Sequence, residues 1–409
     1  MDNRFYNGFN VFDKLSSIFK NPDVLKEEHI PDKFLFREEE CKKITDHISS
    51  FFQLGMKPSD MFIYGPPSTG KTHMIKKIVS ETNEFAEKYD WKIKLFYTSF
   101  KNRTYREGLG NLINLKIGKS GFTANEIIEK INHRIRGYTA GFVFDEVDKI
   151  IVTNTYPNPI DMLIGTFTRF GELFNNPNVF IIVISNKDIT RSLTPPSRST
   201  FIPVHIYFRD YKPDEIYQIL KHRCEQAFVN GAISDETLLH LLEKLGKVRD
   251  LRLGLRTLLM AGKLACMRKT NKITDDIIDM AFEEVQKNII KDGIINADDT
   301  QLLIVYFTAL LQKKKGKPQM TEIYRLYKKE AINPLSFGYI SNYVVPKLEG
   351  QGLIMNEVKG FGRGKGKARF LWVEEDKVDD ILQICREELK IRYGEDMKDI
   401  IKGEIVGGS

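Results

Sequence analysis

The run Gly65-Pro66-Pro67-Ser68-Thr69-Gly70-Lys71-Thr72 has the residue types and spacing of a loop that binds phosphate groups. Its glycines allow successive backbone N–H groups to turn toward an anion, and the helix predicted to follow adds the positive end of its dipole. Lys71 can reach the terminal phosphates of a nucleotide, and the Thr72 hydroxyl is a ligand for Mg²⁺. We therefore expect this run to bind ATP or ADP together with Mg²⁺.

Two acids, Asp145 and Glu146, follow the apolar run that ends at Phe144. A strand ending in this way places one carboxylate at the metal and one near the water that attacks the terminal phosphate. We assign Asp145 to Mg²⁺, beside Thr72, and Glu146 to activation of the water. Asn186 follows a later apolar run and is expected to orient that water, although a polar turn residue is the simpler interpretation.

The elements that must position these residues are short apolar runs alternating with helical patterns. Runs of this length, bounded by Gly, Pro or Asn, favour buried parallel strands joined by helical crossovers. The predicted strands are Met61–Tyr64, Ile93–Tyr97, Gly141–Phe144 and Val179–Ile184. We divide the chain into a lead-in with a short helix (1–30), an α/β nucleotide-binding domain (31–205), an all-α domain (206–291), a linker (292–299) and a C-terminal domain (300–409).

The C-terminal domain is predicted to hold three helices and a hairpin, the order found in a winged helix. The helices are residues 300–312, 321–330 and 336–348, and strands 353–358 and 368–373 flank a glycine-rich turn. Residues 301–373 contain thirteen Lys and Arg against four acids, whereas an acidic tail begins at Glu374. A basic module indicates a polyanionic partner, and a solvated surface is the plainer interpretation.

Membrane and disulfide-based classes are not supported by the composition. The cysteines Cys41, Cys224, Cys266 and Cys385 are far apart and show neither metal-ligand spacing nor a disulfide framework. Apolar runs stay shorter than the roughly eighteen residues of a membrane span, and the first residues carry no apolar signal region. A reduced, cytoplasmic environment is expected.

With these motifs in place, residues from about 34 to 373 resemble the archaeal origin-recognition-complex and cell-division-control family of AAA+ replication initiators. The resemblance implies an α/β AAA+ P-loop ATPase domain with an all-α lid, followed by a winged-helix domain. It further implies a weak ATPase that acts as a switch, binds double-stranded origin DNA and takes part in helicase loading or its regulation. Other initiator paralogues and the replicative helicase would be additional partners.

The resemblance also implies roles for individual residues. Phe34 to Glu38 resembles a box that lies near the adenine, and Asn186 stands where the family has its sensor 1 residue. Tyr211 and Arg223 resemble nucleotide contacts, and Arg252, in Asp250-Leu251-Arg252, resembles the sensor 2 contact to the γ-phosphate. The sequence departs from the family where Arg249 replaces a glycine and where Pro196 replaces an arginine. Arg198 is the candidate substitute for that arginine finger.

DNA contacts are expected from the third helix and from the hairpin. On the helix we expect the polar residues Ser336, Tyr339 and Asn342 to face outward, Ile340 and Tyr343 to pack inward, and Pro346 to kink the helix or end it early. The absence of an arginine there predicts weak reading of guanine. Further contacts are expected from the wing cations Arg363, Lys365 and Lys367, and from a family-specific insertion at 101–123 that includes Lys119.

Two other functions fit part of the sequence. A clamp-loader subunit would share the ATPase motifs and the Ser197-Arg198 pair, but that class ends in a helical collar rather than a basic hairpin. A transcriptional regulator that keeps its nucleotide bound would share both the loop and the winged helix. Single-turnover hydrolysis with and without DNA would distinguish such a regulator from a working switch.

Overall fold

The structure is a computed structural model that describes residues 18–115, 121–246, 250–360 and 367–394. The chain divides into two compact units, Met1–Asp275 and Asp276–Ser409. The first unit contains the parallel sheet with its crossover helices and the predicted all-α segment as far as Asp275. The second contains the predicted helices and hairpin of the C-terminal domain.

The sheet of the first unit is parallel and has the order β2-β3-β4-β1-β5. Long apolar runs form its centre: every residue of β3 and β4 is buried, as expected for strands covered on both faces. The fifth strand was not predicted, because it lies at the edge, is mostly exposed and has no apolar run. The strands are β1 Met61–Tyr64, β2 Ile93–Ser99, β3 Thr139–Asp145, β4 Val179–Ser185 and β5 Val204–Tyr207.

Helices cover both faces of this sheet. On one face the rings of Phe142 and Phe167 pack edge to face at 4.9 Å, and Phe144 packs on Phe167 in the same way. Loss of such a buried ring costs about 3–5 kcal/mol of stability. The helices of this half are α1 Glu38–Leu54, α2 Lys71–Lys88, α3 Tyr105–Leu112, α4 Ala124–Arg134, α5 Pro159–Thr168, α6 Phe170–Phe174 and α7 Pro195–Thr200.

The segment after β5 is helical, as predicted, and a short 3-10 helix, Pro22–Leu25, packs on it from the N-terminal lead-in. Its helices are α8 Pro213–Ala227, α9 Asp235–Lys244 and α10 Leu251–Met267, and the next helix, α11 Asp275–Ile295, belongs to the second unit. Helix α11 corrects the predicted linker at 292–299, since its last turn occupies the first half of that segment. Ile290 and Ile294 are buried in the core of the second unit, which explains why the helix continues.

The second unit has the predicted order of helices and hairpin. Its helices are α12 Asp299–Lys315, α13 Met320–Glu330, α14 Phe337–Tyr339 and α15 Val345–Gly350, and the antiparallel hairpin pairs β6 Met355–Gly360 with β7 Lys367–Trp372. A further helix, α16 Val378–Tyr393, packs against α12. The acidic segment predicted from Glu374 therefore includes a packed helix, because Ile381, Leu382, Cys385 and Leu389 are core residues.

The third predicted helix contains an irregular turn. Residues Ile340–Val344 form a π-helical turn between α14 and α15, in which the Val345 N–H donates to the Ile340 carbonyl. Pro346, which has no N–H to donate, follows at once, so the expected disturbance lies just before it and the helix continues beyond it. Ile340 is buried, as predicted, but Tyr343 is 66% exposed, which corrects the prediction that it packs inward.

Candidate nucleotide site and nucleic-acid surface

The phosphate-binding loop connects β1 to α2 in the predicted strand-loop-helix order. Gly65 and Gly70 have φ of 144° and 91°, and Ser68 has φ of 63°. A Cβ at Gly65 would lie 2.0 Å from the Phe208 carbonyl oxygen, so only glycine fits there. These residues form a concave loop whose shape and helix N-terminus fit a phosphate group.

Lys71 lies inside this loop. Its Nζ donates to the Gly65 carbonyl at 2.7 Å, to the Pro66 carbonyl and to Thr69 Oγ1 at 3.2 Å. Burial lowers the pKa of Lys71 to about 8, and the Asp145 carboxylate opposes this shift. A buried ammonium that is held by neutral carbonyl groups is well placed to pair with a polyphosphate.

The two predicted Mg²⁺ ligands meet where β3 ends beside α2. Thr72 Oγ1 donates to Asp145 Oδ2 at 2.8 Å, and Tyr97 Oη donates to the same oxygen at 2.8 Å. Burial raises the pKa of Asp145 from its ordinary value. A hydroxyl and a carboxylate are hard oxygen ligands, so the donors brought together here fit Mg²⁺ that is shared with a nucleotide. Tyr97 was not among the predicted site residues.

Glu146 follows directly, with φ of 53°, and its Oε2 accepts a hydrogen bond from Ser99 Oγ at 3.1 Å. Asn186 follows β4 and is held by Asp148: its backbone N–H donates to Asp148 Oδ1 at 3.1 Å and its Nδ2 to Oδ2 at 3.4 Å. The sequence reasoning missed Asp148.

The helical segment contributes Asp250 and Arg252. Asp250 Oδ1 accepts from the Arg252 N–H at 2.9 Å, and so caps α10, and it also accepts from Ser68 Oγ at 2.9 Å. The phosphate loop and the start of α10 are thus joined through one carboxylate oxygen. The Arg252 side chain lines the same cavity as Lys71. Arg249, the noted departure from the family pattern, lies outside the described residues.

Arg37, in the segment that resembles an adenine box, is fully buried. Its guanidinium donates to the Thr69 carbonyl at 3.3 Å and to the Arg209 carbonyl, and lies 4.0 Å from the centre of the Tyr211 ring. Arg223 is also buried and donates to the Val24 carbonyl at 3.2 Å. Sequence reasoning named Tyr211 and Arg223, but not the way Arg37 connects Tyr211 to the loop.

These residues surround one cavity of about 480 Å³, a size suited to a small ligand. Of the predicted nucleotide-site residues, the cavity is lined by Pro67, Ser68, Thr69, Gly70, Lys71, Thr72, Asp145, Glu146, Asn186, Tyr211, Arg223 and Arg252. The segment 26–35 lines its remaining wall through Lys26, His29, Phe34 and neighbours. Arg198 does not line it: its Nη2 donates to the Leu193 carbonyl at 2.9 Å on its own segment.

The predicted DNA-facing residues of the second unit are exposed where the structure describes them. Ser336, Tyr339 and Asn342 lie on the surface, and the Ser336 side chain accepts from the Tyr339 N–H at 3.3 Å. Lys367 is exposed at the start of β7. The wing residues Arg363 and Lys365, and Lys119 of the insertion, lie outside the described residues.

Two family models match parts of this chain. Residues 61–209 match the family model described as "ATPase family associated with various cellular activities (AAA)", and residues 217–283 match "Cdc6 AAA+ ATPase-type lid domain". An ORC1-type DNA replication protein of Methanothermobacter thermautotrophicus is 30% identical over 371 residues, 87% of this chain and 93% of that protein. One from Desulfurococcus amylolyticus is 27% identical over 388 residues, 92% of this chain and 95% of that protein.

Solved structures extend the likeness to the whole fold. The Aeropyrum pernix ORC1 protein in complex with DNA has a TM-score of 0.79 and 21% identity, and the match covers 92% of this chain and 99% of that one. Cdc6p from Pyrobaculum aerophilum has a TM-score of 0.56 and 16% identity, with 92% and 99% covered. At these identities the likeness concerns the fold. Within the described residues, the structure has no helix long and apolar enough to cross a membrane.

Proposed function

Because the chain belongs to the family of ORC1-type DNA replication proteins, we propose that it is an ATP-dependent replication initiator that binds origin DNA. The observation that carries the proposal is the Thr72–Asp145 hydrogen bond of 2.8 Å at the mouth of the phosphate loop. It brings the two expected Mg²⁺ ligands together at the N-terminus of α2, the helix that begins with Lys71. The proposed partners are double-stranded origin DNA, initiator paralogues and the replicative helicase, and the proposed location is the cytoplasm.

In this proposal Lys71 and the loop N–H groups hold the phosphates, while Thr72 and Asp145 hold Mg²⁺. The bound metal would neutralise charge on the phosphate oxygens. Glu146, held by Ser99, accepts a proton from the attacking water, and Asn186, held by Asp148, fixes the position of that water. Arg252 carries the cation of the lid toward the same cavity. Hydrolysis would be slow and would change the nucleotide state rather than drive a motor.

The binding of DNA is assigned to the second unit. The excess of Lys and Arg in residues 301–373 supports this assignment, as does the likeness of the fold to the Aeropyrum pernix ORC1 protein in complex with DNA. The clamp-loader alternative is not favoured, because the relatives that cover about nine tenths of the chain are ORC1-type DNA replication proteins, and the second unit contains the β6–β7 hairpin where that class has a helical collar. Between an initiator and a regulator that keeps its nucleotide, the site favours the initiator, since Glu146 and Asn186 are both present beside the loop.

The test is capture of genomic fragments by the purified protein with ATP, with ADP and without nucleotide, followed by sequencing. The expected result is enrichment of the fragments at which replication starts, with a difference between the ATP and ADP states. Lys71→Ala is the matched control, because it should lose ATP binding and the nucleotide effect together. The proposal would be contradicted if all fragments were recovered equally in every nucleotide state.

A further inference from the structure

The third helix of the second unit has an uncharged and aromatic surface. No charged residue occurs between Glu330 and Lys347, although the surrounding module is strongly basic. Tyr339 is 49% exposed and Tyr343 66% exposed. Their rings lie 5.1 Å apart between centroids, so the two side chains form one continuous apolar surface, here called the tyrosine pair. Neither ring is buried in its own domain.

The π-helical turn at Ile340–Val344 explains why the pair is presented. Ile340 and Val344 point into the core. Tyr339 and Tyr343, each one residue earlier in the chain, both point outward. Ser336 caps the start of the helix, and Arg369 of β7 fixes its middle by donating to the Ser341 carbonyl and hydroxyl oxygens. The pair therefore stands on a fixed backbone.

Exposed cations flank this surface at both ends. Phe337, at the start of the helix, packs edge to face on Tyr324 of α13 at 5.2 Å, and α13 also carries the exposed Arg325 and Lys328. Lys347 is exposed at the other end. Such an arrangement suits a duplex, in which cations meet the phosphates while the uncharged centre meets the edges of the bases.

Resting on the proposed DNA-binding function, we propose that the tyrosine pair contacts the 5-methyl groups of thymine in the major groove. Thymine is the base that presents an apolar group there, and apolar side chains recognise it by contact. Asn342 lies between the two tyrosines and is exposed, and asparagine can bond bidentately to adenine. The helix as a whole is thus suited to A·T pairs and not to guanine.

Deoxyuridine tests this contact directly, because it keeps the pairing of thymine and lacks only the methyl group. The probes are an alternating A·T duplex of about 30 base pairs and the same duplex with deoxyuridine in place of thymidine. Binding is measured by fluorescence anisotropy with ATP present. The wild-type protein should bind the uridine duplex more weakly, by roughly fourfold for each methyl group that the pair buries.

Variants assign the effect to the pair. Tyr339→Ala and Tyr343→Ala should each reduce the preference for thymine, and the double variant should abolish it. Tyr339→Phe should keep the preference, since it keeps the ring; its loss there would mean that the hydroxyl reads the DNA and would overturn the proposal. Tyr89→Ala, at an exposed tyrosine of the first unit, is the matched control. Thermal unfolding of each variant verifies its fold.

The outcomes separate this inference from the proposed function. Equal affinity of the wild-type protein for the two duplexes overturns the inference and leaves the initiator proposal standing. An unchanged preference in the double variant also overturns it, because another surface must then sense the methyl groups. Failure to bind either duplex, or any genomic fragment, overturns both. A weaker uridine complex whose difference disappears only in the tyrosine variants supports the inference.

Discussion

Ser68 and Asp250 are joined by a hydrogen bond of 2.9 Å from Oγ to Oδ1, although they are 182 positions apart in the chain. The same carboxylate oxygen caps the helix that carries Arg252. One oxygen thus couples the position of the phosphate loop to the position of a cation that lines the same cavity. A shift of the phosphate loop should therefore displace the start of α10, and a shift of α10 should displace the loop.

Ser68→Ala should weaken ATP binding by roughly two- to tenfold, the usual worth of one hydrogen bond, and should affect ADP less. The reason is that Asp250 still caps α10 but no longer accepts a hydrogen bond from the phosphate loop. Calorimetric titration with both nucleotides measures the effect. Ser80→Ala, which removes a surface hydroxyl bonded to Glu84 on α2, is the control. Equal losses for ATP and ADP would argue against coupling through the lid.

Glu146→Gln should retain ATP and lose turnover, because the amide keeps the shape of the carboxylate but cannot accept the proton. General-base removal typically costs a factor of about 10² to 10⁴. Single-turnover hydrolysis of labelled ATP provides the measurement, and Glu39→Gln at an exposed glutamate provides the control. Hydrolysis at the parent rate would remove Glu146 from the mechanism.

Asp148→Ala should slow hydrolysis by acting on Asn186, whose backbone N–H and side-chain amide it holds. If Asp148 acts only through Asn186, the double variant with Asn186→Ala should be no slower than the slower single variant. The affinity for ATP should change little in all three proteins. Multiplied rate losses in the double variant would show that Asp148 has a separate role.

The Arg209–Glu215 pair should give a measurable acid dependence of stability. Two hydrogen bonds from Arg209, at 2.7 and 2.6 Å, lower the pKa of Glu215 to about 2. A lowered carboxylate pKa contributes stability that is complete above the ordinary pKa near 4.5 and is lost as the pH falls toward 2. Between pH 7 and 3 the unfolding temperature of the wild type should therefore fall more steeply than that of Glu215→Gln. The control variant Glu236→Gln should follow the wild type. Parallel curves for all three would contradict this.

Replacement of Arg363, Lys365 and Lys367 by alanine should weaken DNA binding and flatten its dependence on salt. Each lost phosphate contact reduces the slope of log affinity against log salt by about 0.9. The loss should be similar for specific and random duplexes, whereas Asn342→Ala should change sequence preference more than slope. Alanine at the exposed Lys42, Lys43 and Lys92 gives the same change in net charge elsewhere. An unchanged slope in the wing variant would direct attention to residues 101–123.

The site residues can be predicted from the sequence wherever the signal comes from neighbouring residues in the chain. The phosphate loop, the acids that end β3 and the Asn186 that ends β4 are read from neighbours in the chain, and the structure brings them to one cavity. Tyr97 and Asp148 were missed because their partners are distant in sequence. Arg37 was placed near the nucleotide, but its contacts with Thr69 and Arg209 follow only from the packed structure.

Misjudged elements have equally physical reasons. Edge strand β5 lacks the apolar run that marked the inner strands. Helix α16 combines many acids with a buried apolar face, so its charge concealed its role in the core. Tyr343 was assigned to the interior on regular helical spacing, and the π-helical turn breaks that spacing.

That π-helical turn also bears on how recognition could diverge among relatives. A π turn holds one residue more than an α turn, so it is equivalent to a single-codon insertion in an otherwise regular helix. In a regular α-helix an inserted or deleted residue rotates everything that follows by roughly 100° about the helix axis, whereas a π turn takes up one extra residue locally. A deletion within Ile340–Val344 would therefore present a different set of side chains to the groove while the rest of the scaffold stayed the same. The loss or gain of one codon could in this way change the base preference, without any substitution in the core.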